Sequence, residues 1–188
     1  KSTPYIDMTL ALLKRFGVDV QHENYETFHI KGNQEYQTGE YRVEGDWSGA
    51  SFILVAGAVA GHVTVTGLDI DSPQADRKII QALVDAGANV GLTHTDGTTD
   101  GTTTNGLVVV SKNKLNAFKF DATHCPDLFP PLVALACHCQ GVTEITGVER
   151  LTHKESNRAE ALTKEFTAIG GQITVDGNIM RVTGKTLT

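Results

Sequence analysis

Two stretches of the sequence place charged residues where proton transfer and anion binding could occur. Lys154, Glu155 and Arg158 lie together in LTHKESNR, and Asp127 stands just before an apolar run. A lysine and an arginine can together hold a phosphate or a carboxylate, and a fixed carboxylate can accept or donate a proton. These residue types predict acid–base chemistry on an anionic ligand, although each stretch also has a structural interpretation.

Asp127 belongs to the stretch HCPDLFPPLVALAC, which predicts an apolar helix with Pro130 and Pro131 in its first turn, where proline is tolerated. In the structural interpretation, the carboxylate stabilises the helix start by about 1 kcal/mol as a cap-region residue. In the functional one, the fixed carboxylate accepts a proton from a substrate hydroxyl. The residues alone favour the structural role, and the two roles are compatible.

The stretch LTHKESNR precedes a second helical pattern. Thr152 and Glu155 have the T-x-x-E spacing of a capping box, which would explain Glu155 without any chemistry. Lys154 and Arg158 are four residues apart and would share a helix face, where like charges repel by a few tenths of a kcal/mol. Each cation at a helix start is disfavoured by about 0.3 to 1 kcal/mol more. A bound anion would reverse both penalties, so the stretch predicts an anion site with Glu155 beside it.

The elements that must position these residues recur along the chain. Residues 51–68 and 130–148 each read as an apolar helix followed by a short strand. Residues 76–90 and 157–173 each read as an amphipathic helix, a glycine and a strand, and residues 5–20 form a third copy of that half. Such internal similarity predicts repeated α/β units, each packing a helical stripe against a small sheet.

Glycines punctuate these repeats. Gly17, Gly87 and Gly170 fall just past their helices, where a left-handed C-cap residue ends a helix at little cost. The alignment of the repeats also pairs Arg77 with Arg158. Near the end of the chain, the Asp-Gly pair at 176–177 predicts a type I′ hairpin turn.

Composition and charge limit the possible functions. The 188 residues carry a formal net charge of −6, which argues against a basic surface that binds nucleic acid or anionic membranes. The longest apolar run, at 51–61, is much shorter than the ~20 residues of a membrane span, so it predicts a buried helix. The chain therefore has the composition of one or two soluble domains.

The cysteines are three in number, and two of them flank His138 in the stretch CHC. Side chains two apart on a helix point about 200° apart and cannot share one metal ion. Buried small thiols are therefore favoured over a metal site for Cys125, Cys137 and Cys139. Their odd number, with no secretory signal, indicates a reducing cytoplasm.

Four ordered blocks, STPYIDMTL, VEGDWSGASF, HCPDLFPPL and HKESNR, resemble the enolpyruvyl transferase family over essentially the whole chain. In that family, six β-α-β-α-β-β units form two domains of an inside-out α/β barrel type, with the active site between them. The resemblance implies an α/β fold with about two and a half units in this chain. Residues 1–43 would be the end of one domain, a half unit, and residues 44–188 would be two repeat units of the other.

The resemblance also implies a reaction in the shikimate pathway of aromatic amino-acid biosynthesis. The enolpyruvyl group of phosphoenolpyruvate would move to the 5-hydroxyl of shikimate 3-phosphate, and phosphate would leave through a tetrahedral intermediate. The family needs no metal or other cofactor. The implied partners are these two substrates, with no nucleic acid and no membrane, and the full-length enzyme would be a cytoplasmic monomer.

The matched blocks imply roles for six residues. Asp127 would take the proton from the 5-hydroxyl, Glu155 would deliver a proton to the phosphoenolpyruvate methylene, and Arg158 would bind phosphoenolpyruvate. The implied contacts with shikimate 3-phosphate are those of Ser2, Tyr5 and Lys154.

Other parts of the family pattern are not found between Lys1 and Thr188. These are an N-terminal lysine, an arginine-bearing loop for phosphoenolpyruvate and an N-D-H-R-M block with a later lysine. The chain also begins with Lys1 rather than Met. We therefore expect an internal piece of a longer protein, which folds at least from about residue 44 but has no turnover by itself.

Three alternatives compete with this interpretation. The first is the sister enzyme that transfers enolpyruvate to UDP-N-acetylglucosamine, which shares the repeat. The second is a non-catalytic repeat module that binds a phosphorylated ligand. The third, a relative that processes nucleic-acid ends, is disfavoured by the acidic charge balance and the 6% aromatic content.

Overall fold

The computed structural model describes residues 3–95, 105–151 and 157–184. Its helices are α1 (Thr3–Arg15), α2 (Trp47–Ala60), α3 (Ile79–Ala86), α4 (Phe129–Cys137) and α5 (Arg158–Ala168). Its strands are β1 (Val20–Glu23), β2 (Thr27–Ile30), β3 (His62–Leu68), β4 (Asn89–Thr95), β5 (Asn105–Ser111), β6 (Lys119–Asp121), β7 (Gly141–Thr146), β8 (Gln172–Asp176) and β9 (Ile179–Gly184).

These strands form a hairpin and two sheets. β1 and β2 pair as the hairpin, and β3, β5 and β4 form an antiparallel sheet in that order. The other sheet has the order β6-β7-β9-β8, in which β6 and β7 are parallel and the remaining pairs are antiparallel. A parallel pair needs a crossover connection, and α4 supplies it.

Helices α2 and α4 bring the two sheets together. α2 contacts β3 and β5, α4 contacts β7 and β9, and the two helices pack on each other. α2 begins after Asp46, whose carboxylate accepts hydrogen bonds from the backbone N–H groups of Ser48 and Gly49. The resulting core is one continuous cluster. Its largest fully buried side chains are Trp47, Leu54, Ile79, Leu83, Val108, Leu128, Phe129, Leu132, Leu135, Ile145, Leu151 and Met180.

The predicted glycine C-caps are confirmed. Gly17, Gly87 and Gly170 have φ values of 81°, 92° and 94°, in the left-handed region. After each glycine, the next N–H bonds a carbonyl five residues earlier, as in Ala88 to Leu83 at 2.9 Å. This is the hydrogen-bond pattern of a Schellman motif. The three helices therefore end by the same local geometry.

Replacing Gly87 by alanine should destabilise the chain by about 1 to 2 kcal/mol, because an L side chain is strained in the left-handed region. The added Cβ would also lie 3.0 Å from the carbonyl oxygen of Lys114. Urea unfolding of the 188-residue chain, followed by circular dichroism, measures the change. Gly32→Ala is the matched control, since its Cβ would meet nothing within 4 Å. Equal stabilities of the two variants would contradict the prediction.

Two local expectations are wrong. The hairpin between β8 and β9 turns on Gly177 and Asn178, since Asp176 still pairs with Ile179. Of Gly177 and Asn178, Gly177 alone has a positive φ. A type I′ turn requires a positive φ at both central residues, so the turn is not of this type.

The apolar run at 51–61 is helical as predicted, but it is not buried on all sides. Phe52 and Ile53 are 48% and 54% exposed, because they lie on the face of α2 away from the core. No helix within residues 3–95, 105–151 and 157–184 is long and apolar enough to cross a membrane.

Candidate active site

Asp127 lies in a short 3-10 helix, Pro126–Leu128, that leads directly into α4. Pro130 and Pro131 occupy the first turn of α4, as predicted. The residue at the N-cap position is Leu128, and no side chain caps this helix. The structure therefore does not support the helix-capping interpretation of Asp127, whose carboxylate faces another partner.

That partner is Arg158, the first residue of α5. Its Nη1 donates a hydrogen bond to Asp127 Oδ1 at 2.5 Å. The two side chains are 33% and 40% exposed, respectively. An ion pair at this exposure contributes no more than about 1 kcal/mol to stability. Its significance is geometric, because it places a carboxylate and a guanidinium from distant segments side by side at an accessible position.

α5 starts at Arg158, within the pattern expected to begin with a helix over residues 157–173. Its N-cap is Asn157, whose side-chain oxygen accepts a hydrogen bond from the Glu160 N–H at 3.3 Å. The predicted capping box of Thr152 and Glu155 lies outside the described residues, and at the observed start of α5 Asn157 and Glu160 have the same spacing. Lys154, which was expected to share a helix face with Arg158, also lies outside the described residues.

Tyr5 lies near the start of α1 and packs against the core while remaining partly exposed. Its hydroxyl donates a hydrogen bond to Asp76 Oδ2 at 2.5 Å. Burial raises the pKa of the phenol far above its usual value, as do this hydrogen bond and the charges of Asp76 and Asp127. Tyr5 therefore stays protonated and acts as a hydrogen-bond donor, in the same electrostatic neighbourhood as Asp127.

The structure thus pairs Asp127 with Arg158, and the charge of Asp127 also raises the pKa of the Tyr5 phenol. The remaining predicted site residues, Ser2, Lys154 and Glu155, lie outside the described residues.

The sequence reasoning missed Asp76, which is 2% exposed. A signal for it was present, because the repeat alignment that pairs Arg77 with Arg158 also puts Asp76 level with Asn157. Asp76 therefore corresponds in its repeat to Asn157, which belongs to the stretch LTHKESNR.

An open cleft of about 760 Å³ is lined by residues that flank Tyr5 and Asp76 in the sequence, but not by Tyr5, Asp76, Asp127 or Arg158 themselves. It runs between Thr3 and Pro4 of α1, the segment before and along α3, and the region of β6. Two cationic side chains that line the cleft have partners within the protein. Arg77 donates to the Ile70 carbonyl at 2.6 Å, and Lys119 pairs with Glu144 at 2.9 Å. The other charged or ionisable lining residues are Lys78, Asp85, Asp121 and His124.

Two of the three cysteines expected to be buried thiols are buried, and the third is partly exposed. Cys125 and Cys139 are buried, and burial raises the pKa of each thiol to about 12. Cys137 is partly exposed, and burial raises its pKa as well. Within the described ranges, no group of three or more His, Cys, Asp or Glu residues could hold a metal ion.

The described residues define an α/β protein in which a carboxylate lies beside a guanidinium and a partly buried tyrosine hydroxyl donates to a second carboxylate. Comparison with known proteins identifies the family within this class of α/β proteins. The family model for EPSP synthase (3-phosphoshikimate 1-carboxyvinyltransferase) matches residues 1–188. The chain therefore belongs to the EPSP synthase family.

Individual relatives agree with this assignment. The 3-phosphoshikimate 1-carboxyvinyltransferase of Clostridium novyi is 38% identical over 173 residues, which cover 92% of this chain and 37% of the relative. That of Methanocella arvoryzae is 37% identical over 188 residues, which cover 100% of this chain and 42% of the relative. The chain thus spans roughly two fifths of the length of these relatives.

A solved structure shows the same fold. EPSP synthase from Acinetobacter baumannii superposes with a TM-score of 0.74 at 24% identity, covering 93% of this chain and 39% of that chain. The expected α/β fold is therefore confirmed.

Proposed function

We propose that this chain forms part of an enzyme that transfers the enolpyruvyl group of phosphoenolpyruvate to the 5-hydroxyl of shikimate 3-phosphate. The observation that carries the proposal is the contact between Asp127 and Arg158 in a chain of this family. A base for the hydroxyl and a cation for the anionic donor must lie side by side in such a reaction.

The proposed chemistry has two steps. In the first, Asp127 accepts the proton of the 5-hydroxyl as the oxygen bonds to C2 of phosphoenolpyruvate, and Glu155 protonates the methylene carbon. This forms a tetrahedral intermediate. In the second, the bond from C2 to the phosphate oxygen breaks, phosphate leaves, and the methyl group returns its proton to the Glu155 carboxylate. No metal or other cofactor takes part.

The substrate contacts divide between the two anions. Arg158 binds phosphoenolpyruvate, since a guanidinium matches carboxylate and phosphate geometry. Lys154 and Ser2 contact shikimate 3-phosphate, and Tyr5 packs near its ring. We also propose that the complete enzyme is a cytoplasmic monomer.

The repeat organisation is part of the same proposal. Residues 119–184 run in the order strand, helix, strand, helix, strand, strand, as one complete unit would. Residues 47–111 show the same order without the leading strand, and residues 31–46, all of which the structure describes, contain no strand. We place the domain boundary near residues 43 and 44, with a half unit before it.

The 188-residue chain by itself should form no product. A chain that covers about two fifths of its relatives lacks groups that would complete the cleft, and loss of positioned groups removes the advantage of proximity. Phosphate release from phosphoenolpyruvate in the presence of shikimate 3-phosphate is the measurement. Measurable turnover by this chain alone would contradict the prediction.

The function is tested by titrating shikimate 3-phosphate into a protein that carries this chain at the length of its relatives. Lys154→Ala should weaken binding about 10- to 100-fold, the size expected for a charge-assisted hydrogen bond. Lys164→Ala removes an exposed lysine from α5 and should leave binding unchanged. Equal affinities of wild type and Lys154→Ala would count against the proposal.

A further inference from the structure

Asp76 is a buried carboxylate that the proposed chemistry does not use. It is 2% exposed and lies in the short 3-10 helix Ala75–Lys78, just before α3. Burying an ionisable carboxyl group is unfavourable unless hydrogen bonds compensate for the lost water. Its Oδ2 accepts a hydrogen bond from the hydroxyl of Tyr5, which lies 71 residues earlier in the chain.

The segment that carries Asp76 is held firmly on both sides. The side chain of Gln74 accepts from the Trp47 N–H at 3.0 Å and donates to the Gly45 carbonyl at 2.9 Å. On the other side, the guanidinium of Arg77 donates to the Ile70 carbonyl at 2.6 Å. Asp76 therefore lies in a segment that these hydrogen bonds hold against the main core.

Helix α1, by contrast, is weakly anchored. None of its residues is buried, and Tyr5 is the residue of α1 that packs against the core cluster. A hydrogen bond from a phenol to a fixed carboxylate restricts both the ring and the helix start. The position of Tyr5 therefore depends on Asp76.

We propose that Asp76 is a positioning residue for shikimate 3-phosphate, because it holds the Tyr5 ring and the start of α1 at the edge of the substrate site. This inference rests on the proposed function. Asp76 acts through Tyr5 and contacts no reacting atom.

The test compares variants of a protein that carries this chain at the length of its relatives. Tyr5→Phe keeps the ring but removes the hydroxyl, and Asp76→Ala removes the acceptor. Each should raise KM for shikimate 3-phosphate about tenfold, as loss of a hydrogen bond to a charged group predicts. Each should change kcat less than about threefold, because the acid–base groups stay in place.

Two further variants separate positioning from general destabilisation. Asp76→Asn retains an oxygen that can accept from Tyr5, so it should restore most of the affinity lost in Asp76→Ala. The double variant Tyr5→Phe/Asp76→Ala should have a KM for shikimate 3-phosphate no higher than that of the more affected single variant. Both substitutions remove the same hydrogen bond, so their effects should not add.

Specific outcomes would overturn the inference. An unchanged KM for Tyr5→Phe, or effects of the two single variants that multiply in the double, would show that Asp76 does not act through Tyr5. If Asp76→Ala fails to fold, Tyr5→Phe and Asp76→Asn still decide the matter. Absence of turnover in the wild-type protein would overturn the proposed function as well, whereas active wild type with unaffected variants would overturn this inference alone.

Discussion

Replacing Asp127 by asparagine, in a protein that carries this chain at the length of its relatives, should lower turnover about 100- to 10,000-fold. Asparagine keeps the shape and the hydrogen-bond acceptor toward Arg158 but cannot take a proton from the 5-hydroxyl. The loss should appear in kcat, because proton transfer occurs in the chemical step. Steady-state phosphate release at saturating substrates measures it.

The ion pair adds a second, opposite expectation for the same variant. Arg158 donates to Asp127 at 2.5 Å in the structure, so the carboxylate competes with an anionic ligand for the guanidinium. Asp127→Asn removes the negative charge of that competitor, and phosphoenolpyruvate affinity should therefore be retained or increased while turnover falls. A dead variant with much weaker phosphoenolpyruvate binding would instead indicate a disturbed site.

The control for this variant is Asp176→Asn. Asp176 also pairs with an arginine, Arg181, at 3.0 Å, but on the edge hairpin of β8 and β9. Its neutralisation should leave turnover within about twofold, because exposed pairs contribute little. If Asp127→Asn behaves like Asp176→Asn, the assignment of Asp127 as the base is wrong.

Replacing Trp47 by alanine should lower the free energy of unfolding by about 3 to 5 kcal/mol, the usual effect of truncating a fully buried aromatic residue. Trp47 is 0% exposed, and its indole N–H donates to the Asp69 carbonyl at 2.9 Å. Truncation removes that hydrogen bond and leaves a cavity beneath the start of α2.

Urea unfolding of the 188-residue chain, followed by circular dichroism, measures this loss, since Trp47 is the single tryptophan and its fluorescence disappears with it. Phe52→Ala on the same helix is the matched control. Phe52 is 48% exposed, so its truncation should cost less than about 1.5 kcal/mol. Similar losses in the two variants would mean that the core does not depend on Trp47.

Features set by neighbouring residues could be predicted from the sequence. The glycine C-caps and the prolines of α4 were predicted correctly because a left-handed φ or a missing N–H is a local constraint. The cap of α5 could not be chosen from the sequence, because LTHKESNR and the residues after it contain two possible caps with the same spacing. Thr152 with Glu155 and Asn157 with Glu160 both fit, and periodicity does not choose between them.

Contacts between distant residues could not be predicted in this way. Asp127 and Arg158 were each singled out for a separate local reason, and nothing in caps or periodicity indicates that they touch across 31 residues. Asp76 was missed because its partner, Tyr5, is 71 residues away in a different helix. Pairing of this kind depends on how the sheets and helices pack, which the repeat pattern predicts only in outline.

The shallow packing of the first segment has a consequence for local opening. Within residues 3–43, all of which the structure describes, Val18 is the one hydrophobic side chain that is buried. A region with so little burial opens at a lower free energy than the core it rests on. Backbone amides of α1 and of β1 should exchange with deuterium before those of α2 and α4, so the tyrosine held by Asp76 belongs to a segment that unfolds and refolds while the core stays intact.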